Sequence, residues 1–279
     1  SIVNPNYNYT GNKVFGSFSS KKTDQPDSGY ENTLINIGGG IEFEQYKDIF
    51  LAPDLSFTID DLTVDSTASD QLKKQAGSFT DLTFGYSIKS DKRNRRFMPT
   101  DGHILIFKQN FPLYADSSSL LNSFKHNSYH SFSENFVGAF KLYGAAITGF
   151  GDDDVRLSKR LRLGRTLLRG FESRKVGPKD GDDYIGGNYA SAINIEAALP
   201  NLLPESTETD VSLFMDLANL WHVDYSNSIN DSDKIRSSVG VATNMYTPIG
   251  PLSFVVAQNL SKAETDVTQS FSFQIGTSF

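Results

Sequence analysis

The sequence predicts an all-β chain folded as an antiparallel up-and-down transmembrane β-barrel. Three observations carry that expectation. Apolar and polar residues alternate with a period of two in segment after segment, the polar positions favour Gly, Ser, Thr and Asn over charge, and tight connectors alternate with long polar ones. Successive side chains of a strand point to opposite faces, so such a ribbon is greasy on one side and polar on the other. A soluble sandwich also alternates, but it buries its apolar face between sheets and carries charge outside. Small uncharged polar residues suit the crowded wet interior of a barrel whose other face meets lipid.

Twelve strands are expected, centred on residues 13–20, 33–45, 50–60, 79–89, 103–111, 128–136, 139–149, 190–199, 211–221, 234–246, 251–260 and 269–279. "TLINIGGGIEFEQ" sets Ile35, Ile37, Ile41 and Phe43 against Asn36, Gly38, Gly40 and Glu42. "APDLSFTID" and "DLTFGYSIK" repeat the pattern with Leu55, Phe57 and Ile59, then Leu82, Phe84, Tyr86 and Ile88. The sixth and seventh strands are the least regular, because Glu134 and Lys141 interrupt the alternation near their shared turn. "ASAINIEAAL" sends Ile193 and Ile195 outward and Asn194 and Glu196 inward. "DVSLFMDLANLW" sends Leu213 and Met215 outward and Ser212, Phe214 and Asp216 inward. The closing "QSFSFQIGTSF" places Phe271, Phe273, Ile275 and Phe279 on the lipid face, with Gly276 a weak point in the ladder near the end. Phe279 would sit at the membrane interface.

Composition agrees. Apolar residues make up 38% of the 279, below the usual ~45–50%, while Phe and Tyr number 21 and 12. That suits apolar residues spread one side chain deep over a surface. The net charge of -7 argues against a nucleic-acid partner. With no cysteine there is no disulfide and no thiolate metal site, and the four histidines lack paired ligand spacing. No metal, cofactor or catalytic residue is expected, and the chain is not expected to be an enzyme. The acidic pairs and triplets Asp60-Asp61 and Asp152-Asp153-Asp154 read as solvated turns or loops. "GGG" at 38–40 lacks the lysine and helix of a phosphate cradle. "KRNRR", Lys92 to Arg96, reads as a solvated turn at the periplasmic rim, within reach of lipid head groups or a partner.

"RTLLRGFESRKVGPKDGDDYIGGNY", Arg165 to Tyr189, has neither period. Long unstructured connections are usually functional or disordered. Its Leu168-Arg169-Gly170-Phe171 joins a guanidinium, a bare backbone and an aromatic ring, and the two strands that follow each aim a carboxylate inward. An arginine fork binds carboxylates bidentately. The loop is therefore read as folding into the lumen, with Arg169 on Glu196 and Asp216, Gly170 close to the wall and Phe171 against lumen aromatics. By spacing alone an exposed loop charge is an equal alternative.

These residues resemble the BamA family of bacterial outer-membrane protein assembly factors. Leu168-Arg169-Gly170-Phe171 resembles that family's Val-Arg-Gly-Phe motif, and "GPKDGDDYIGGNYASAINIEAAL" its loop and following strand. "FMDLANLW", "IRSSVGVATNMYTPIGPLSFVVAQNLSK", "FSFQIGTSF" and "RRFMPTDGH" resemble, respectively, its Asp-bearing strand, penultimate hairpin, closing strand and Pro-Thr-Asp-Gly turn. The ordered set covers nearly the whole chain and is most marked from residue 160 onward. The resemblance implies a barrel of about sixteen strands behind periplasmic domains. Residues 1–279 then form a single barrel domain, with the first four strands and the periplasmic domains absent from this chain. It also implies that Arg169 is held by Glu196 and Asp216. The implied function is an insertase of the outer membrane of Gram-negative bacteria that assembles β-barrel proteins through a lateral seam at the closing strand, Phe271 to Phe279. Its partners would be unfolded outer-membrane protein clients, accessory lipoproteins and the lipid bilayer. A polypeptide-translocating pore of the same superfamily and a passive porin are the alternatives.

Overall fold

The computed structural model describes residues 1–279 except 97, 152, 201, 204–208, 226–228, 248–249 and 276–279. Among the described residues one antiparallel sheet holds thirteen strands, each paired with its neighbours in chain order. They are β1 (Ile2–Asn4), β2 (Lys13–Gln25), β3 (Tyr30–Tyr46), β4 (Ile49–Val64), β5 (Gly77–Asp91), β6 (Gly102–Ala115), β7 (Ser119–Ser133) and β8 (Phe136–Gly149). Within the connection that follows, a small separate hairpin pairs β9 (Lys179–Asp180) with β10 (Asp183–Tyr184). The sheet resumes with β11 (Tyr189–Leu199), β12 (Thr209–Trp221), β13 (Arg236–Thr247), β14 (Gly250–Ser261) and β15 (Phe271–Ile275).

The twelve expected strands are all present. The thirteenth, β1, is three residues long, too short to show alternation. β7 begins at Ser119, well before its expected start, because its outward face carries Asn122 and His126 on either side of Phe124 and hides the period. Those polar groups are not isolated: Tyr86 Oη donates to Gln109 Oε1 at 2.9 Å, and Gln109 in turn donates to Asn122. Gly276 and Phe279 lie outside the described residues.

Register aligns the outward residues into rows across strands. Phe140, Ile195 and Met215 lie side by side, as do Leu213, Val241 and Val256. All six are exposed, as are Ile37, Leu55, Phe57, Phe271 and Phe273. An apolar belt of this extent is far larger than a water-soluble monomer leaves uncovered. Aromatic clusters border it at both ends. Tyr189, Trp221 and His222 meet at the long-loop rim, and His130, Phe132 and Phe136 at the short-turn rim. Such girdles mark the two interfaces of a bilayer, and β11, at eleven residues, is long enough to cross it.

The connections sort by end. Residues 47–48 and 134–135 are tight turns at one rim; 65–76, 150–188, 222–235 and 262–270 lie at the other. The longest of these, 150–188, folds inward and touches wall all round: Arg162 donates to Ser28 before β3, Arg156 to Asp81 on β5, and Phe171 bridges Thr268 before β15. The sheet therefore curls around this loop. Two buried clusters result. One joins Leu157 and Ile185 of the loop to Tyr30, Leu62, Leu72 and Tyr225 among the neighbouring loops and strand ends. Leu72 belongs to a one-turn helix, α1 (Asp70–Lys73), capped by Ser69 Oγ accepting from Leu72 N at 3.2 Å. The other lies deeper, at the candidate site.

Candidate functional site: an arginine latch in the lumen

β11 and β12 pair with Asn194 opposite Asp216, and both side chains face inward under the loop. Asp216 is 0% exposed. A carboxylate so deeply buried needs a cation and hydrogen bonds to offset its lost hydration. Arg169 supplies most of them. Its Nε donates to Asp216 Oδ2 at 2.8 Å and its Nη2 to Oδ1 at 2.6 Å, a two-pronged contact, while its backbone N–H reaches Oδ2 at 2.9 Å. Asn194 Nδ2 donates to Oδ1 at 2.8 Å and also to the carbonyl of Leu167 at 3.0 Å. The Arg169 fork extends to Glu196 Oε1 at 2.8 Å, whose other oxygen takes Lys141 Nζ at 2.6 Å. The guanidinium lies 3.7 Å over the centre of the Phe214 ring.

The next two residues press the backbone against β13 and β14. Gly170 has φ +83, and a side chain there would meet Ala257 Cβ at 2.9 Å and Ser238 Cβ at 3.3 Å, so both its conformation and its clearance favour glycine. Ser238 Oγ donates to the Arg169 carbonyl at 2.6 Å, and Asn259 Nδ2 to that of Gly170 at 2.8 Å. Leu168 and Phe171 are buried with Leu163, Val176, Ala190, Ala192, Ala218 and Leu220, and Tyr143 packs alongside. The expected aromatic surroundings of Phe171 are thus mainly aliphatic; the lumen aromatic, Phe214, lies under Arg169 instead.

Several further contacts were not foreseen from the sequence. Arg236 and Asp266, both 0% exposed, pair at 2.9 Å, and Asp266 also accepts from the backbone of Gly177 and Ala263. Arg156 and Lys159 converge on Asp81. Arg160 donates to Asp224 Oδ1 at 2.6 Å, while Val155 N reaches Oδ2 at 2.7 Å. Burial pushes the Asp224 carboxyl up, but Arg160 and the Val155 amide outweigh it and hold it below the usual carboxylate range. The signal was the run Arg156, Arg160, Arg162 and Arg165 at the head of the loop, opposite Asp60 and Asp81. Asp60, expected in a solvated turn, instead lies in β4, buried on the inner face and accepting from Asn32 and Ser158. At the closing strand, Phe271, Phe273 and Ile275 all point outward, Phe273 beside Phe254 with ring centres 4.9 Å apart.

Over its whole length, residues 1–279, the chain matches the family model described as the Omp85 superfamily domain. It belongs to the Omp85 superfamily. Among curated relatives it is similar to the outer membrane protein assembly factor BamA of Neorickettsia risticii, with 25% identity across 94% of this chain and 36% of the relative. The chain thus spans about a third of that protein's length. Among solved structures it is similar to BamA of Haemophilus ducreyi lacking POTRA domains 1–3. The TM-score is 0.84 at 22% identity, over 97% of this chain and 60% of that one. CdiB from Acinetobacter baumannii shares the fold with a TM-score of 0.58 at 13% identity, over 94% of this chain and 46% of that one. The fold of this Omp85 chain is accordingly the outer-membrane type of antiparallel transmembrane barrel.

Proposed function

We propose that this Omp85 barrel is part of an outer-membrane insertase that assembles client β-barrel proteins into the bilayer without nucleotide hydrolysis. The observation that carries the reading is the latched lumen. A loop held on a buried Asp216 and pressed against four neighbouring strands fills the space a passive porin keeps open. A nascent strand in lipid must satisfy every backbone donor and acceptor, at several kcal/mol for each one left bare. A barrel whose closing strand can part from its neighbour offers a template edge, to which the client adds by strand pairing. β15 suits that role. Among the described residues its register with β14 runs from Val256 to Leu252, with one further bond from Ala257 N to the Ser270 carbonyl at 2.8 Å, while β14 continues to Ser261, and its lipid face is apolar. Clients are unfolded outer-membrane proteins, and accessory outer-membrane lipoproteins are further partners.

A polypeptide-exporting pore of the same superfamily is the second reading; that role requires the loop to leave the lumen. Reconstitution into liposomes separates the possibilities. With a denatured client barrel and no nucleotide, the protein should accelerate client folding, and Arg169→Ala should slow it about tenfold or more, as expected when a bidentate charged contact is lost. Conductance should be small and erratic. Large steady currents, unchanged by Arg169→Ala and with no effect on clients, would instead identify a porin.

A further inference from the structure

The alternation that turns Glu196 and Phe214 inward turns their neighbours Ile195, Ala197, Leu213 and Met215 to the lipid side, directly behind the latch. On β7 the inward positions are Lys125, which is exposed to the lumen, Asn127 and Tyr129; the outward ones are His126, Ser128 and His130. Register then sets His130, Gly138, Ala197 and Leu213 in one outward row across β7, β8, β11 and β12. Its two central members contribute no side chain and a single methyl. The next row toward the middle of the belt is Ser128, Phe140, Ile195 and Met215, about 7 Å away along the strands. Bulky side chains therefore stand round a low floor, and an open groove of about 530 Å³ results in the outer wall near the short-turn rim. Phe132 and Phe136 stand at its rim end with ring centres 5.3 Å apart. Phe132 lies over Gly138 so closely that a Cβ there would meet the ring at 2.7 Å.

The groove is not a place for water, which needs two to four polar partners where this lining is hydrocarbon almost throughout. Among lipid tails, apolarity by itself favours no position on the wall; van der Waals fit decides. A chain lying in the groove touches protein on its floor and both sides, whereas one on the convex belt touches it on one side only. Each added contact is small and the sum is not, and a groove left empty forfeits all of them. Polar groups begin where the aromatic girdle ends: His130 Nδ1 lies 3.7 Å from Asp101 Oδ1, and its ring meets Phe132 edge-on at 4.8 Å. That is the depth of a phospholipid's glycerol and head group. A protein partner fits less well, because the groove closes within a few residue rows, far short of the ~800 Å² that a stable partner covers.

We propose that this groove holds one acyl chain of a bilayer phospholipid from the leaflet on the short-turn side, its head group beside His130 and Asp101 and its methylenes over Gly138 and Ala197. Ile195 and Ala197 flank Glu196, and Leu213 and Met215 flank Phe214, so the bound chain packs on the back of the two wall segments that carry the latch. The site depends on which face meets lipid and not on the insertase reading.

Phosphatidylcholine bearing a diazirine in one acyl chain, titrated into phosphatidylcholine liposomes that contain the full-length protein, tests this by mass mapping of the crosslinked peptides. Labelling at 136–140, 195–197 and 213–215 should saturate at low mole fraction. There it should exceed labelling at Ile37 and Leu55 of the open belt by about fivefold or more, as about ten added van der Waals contacts would give. At Ile37 and Leu55 it should rise in proportion to the photolipid. Ala197→Phe fills the floor and should bring the groove down to the level of the belt, with belt labelling and protease protection of the loop unchanged. Ala146→Phe, outward in a row with Tyr189, should alter neither. Proportional labelling throughout the unaltered protein, or a saturating component that survives Ala197→Phe, would overturn the proposal. So would displacement of the photolipid by a triacylated lipopeptide but not by unlabelled phosphatidylcholine, since that outcome assigns the groove to a protein-borne anchor.

Discussion

At Asp216 the latch meets its strictest requirement, because this carboxylate is fully buried while Glu196 retains a second cation in Lys141. Breaking a buried pair from one side costs about 3–5 kcal/mol, since the remaining charge is left uncompensated. Arg169→Ala and Asp216→Ala should both loosen the loop by that order, read as rapid cleavage within 165–188 in limited proteolysis. Glu196→Ala should cost less, on the order of 1–3 kcal/mol for one charged hydrogen bond, because Asp216 still holds the fork. Equal sensitivity of all three variants would contradict this division of labour. That Glu196 and Asp216 face inward was legible in the sequence because alternation fixes which strand residues do so. Arg169 lies in a loop without a period, and its pairing with them was implied by the family resemblance, spacing alone leaving an exposed loop charge an equal alternative. The Arg236–Asp266 pair was not: Arg236 opens a strand after a long loop, and Asp266 sits in a stretch that reads only as a polar connector.

The elements differ in what holds them. The long-loop end relies on charge, as in the contact of Asp224 with Arg160 and Val155. The folded pKa of Asp224 lies below its unfolded value of ~3.9. Its contribution is therefore complete above that value and is lost as pH falls through the lower, folded one. Hydrogen exchange of residues 153–160 should accelerate below about pH 4, and Asp224→Asn should flatten that response; an identical acid response in the variant would refute the assignment. The strands rely instead on which side meets lipid. Ile37 points outward, whereas the neighbouring inward Ser17 is exposed to the lumen. Ile37→Lys should destabilise the barrel in bilayers by about 2–4 kcal/mol and Ser17→Lys by little, measured by urea unfolding. Comparable costs would mean the faces are wrongly assigned. Strand positions were readable wherever alternation was clean. They blurred at β7, where Asn122 and His126 face outward and the hydrogen-bonded chain from Tyr86 through Gln109 accommodates the amide, a compensation no single segment reveals.

For the molecule as a whole, alternation foretold a curved sheet with a polar inside, and the loop's lack of any period marked it as the exceptional segment. How that loop threads the interior depended on pairs distant in sequence, such as Arg162 with Ser28 and Phe171 with Thr268, which local patterns do not encode. The insertase proposal and the latch share one premise, that lipid covers the outer face and water fills the inner one. The absence of cysteine makes that premise directly measurable. Single-cysteine variants in liposomes can be treated with a water-soluble, membrane-impermeant maleimide. Ser17→Cys and Lys125→Cys should label rapidly, while Ile37→Cys and Leu213→Cys should stay protected until the bilayer is dissolved. Rapid labelling at Ile37 and Leu213, with protection at Ser17 and Lys125, would contradict the account at its root.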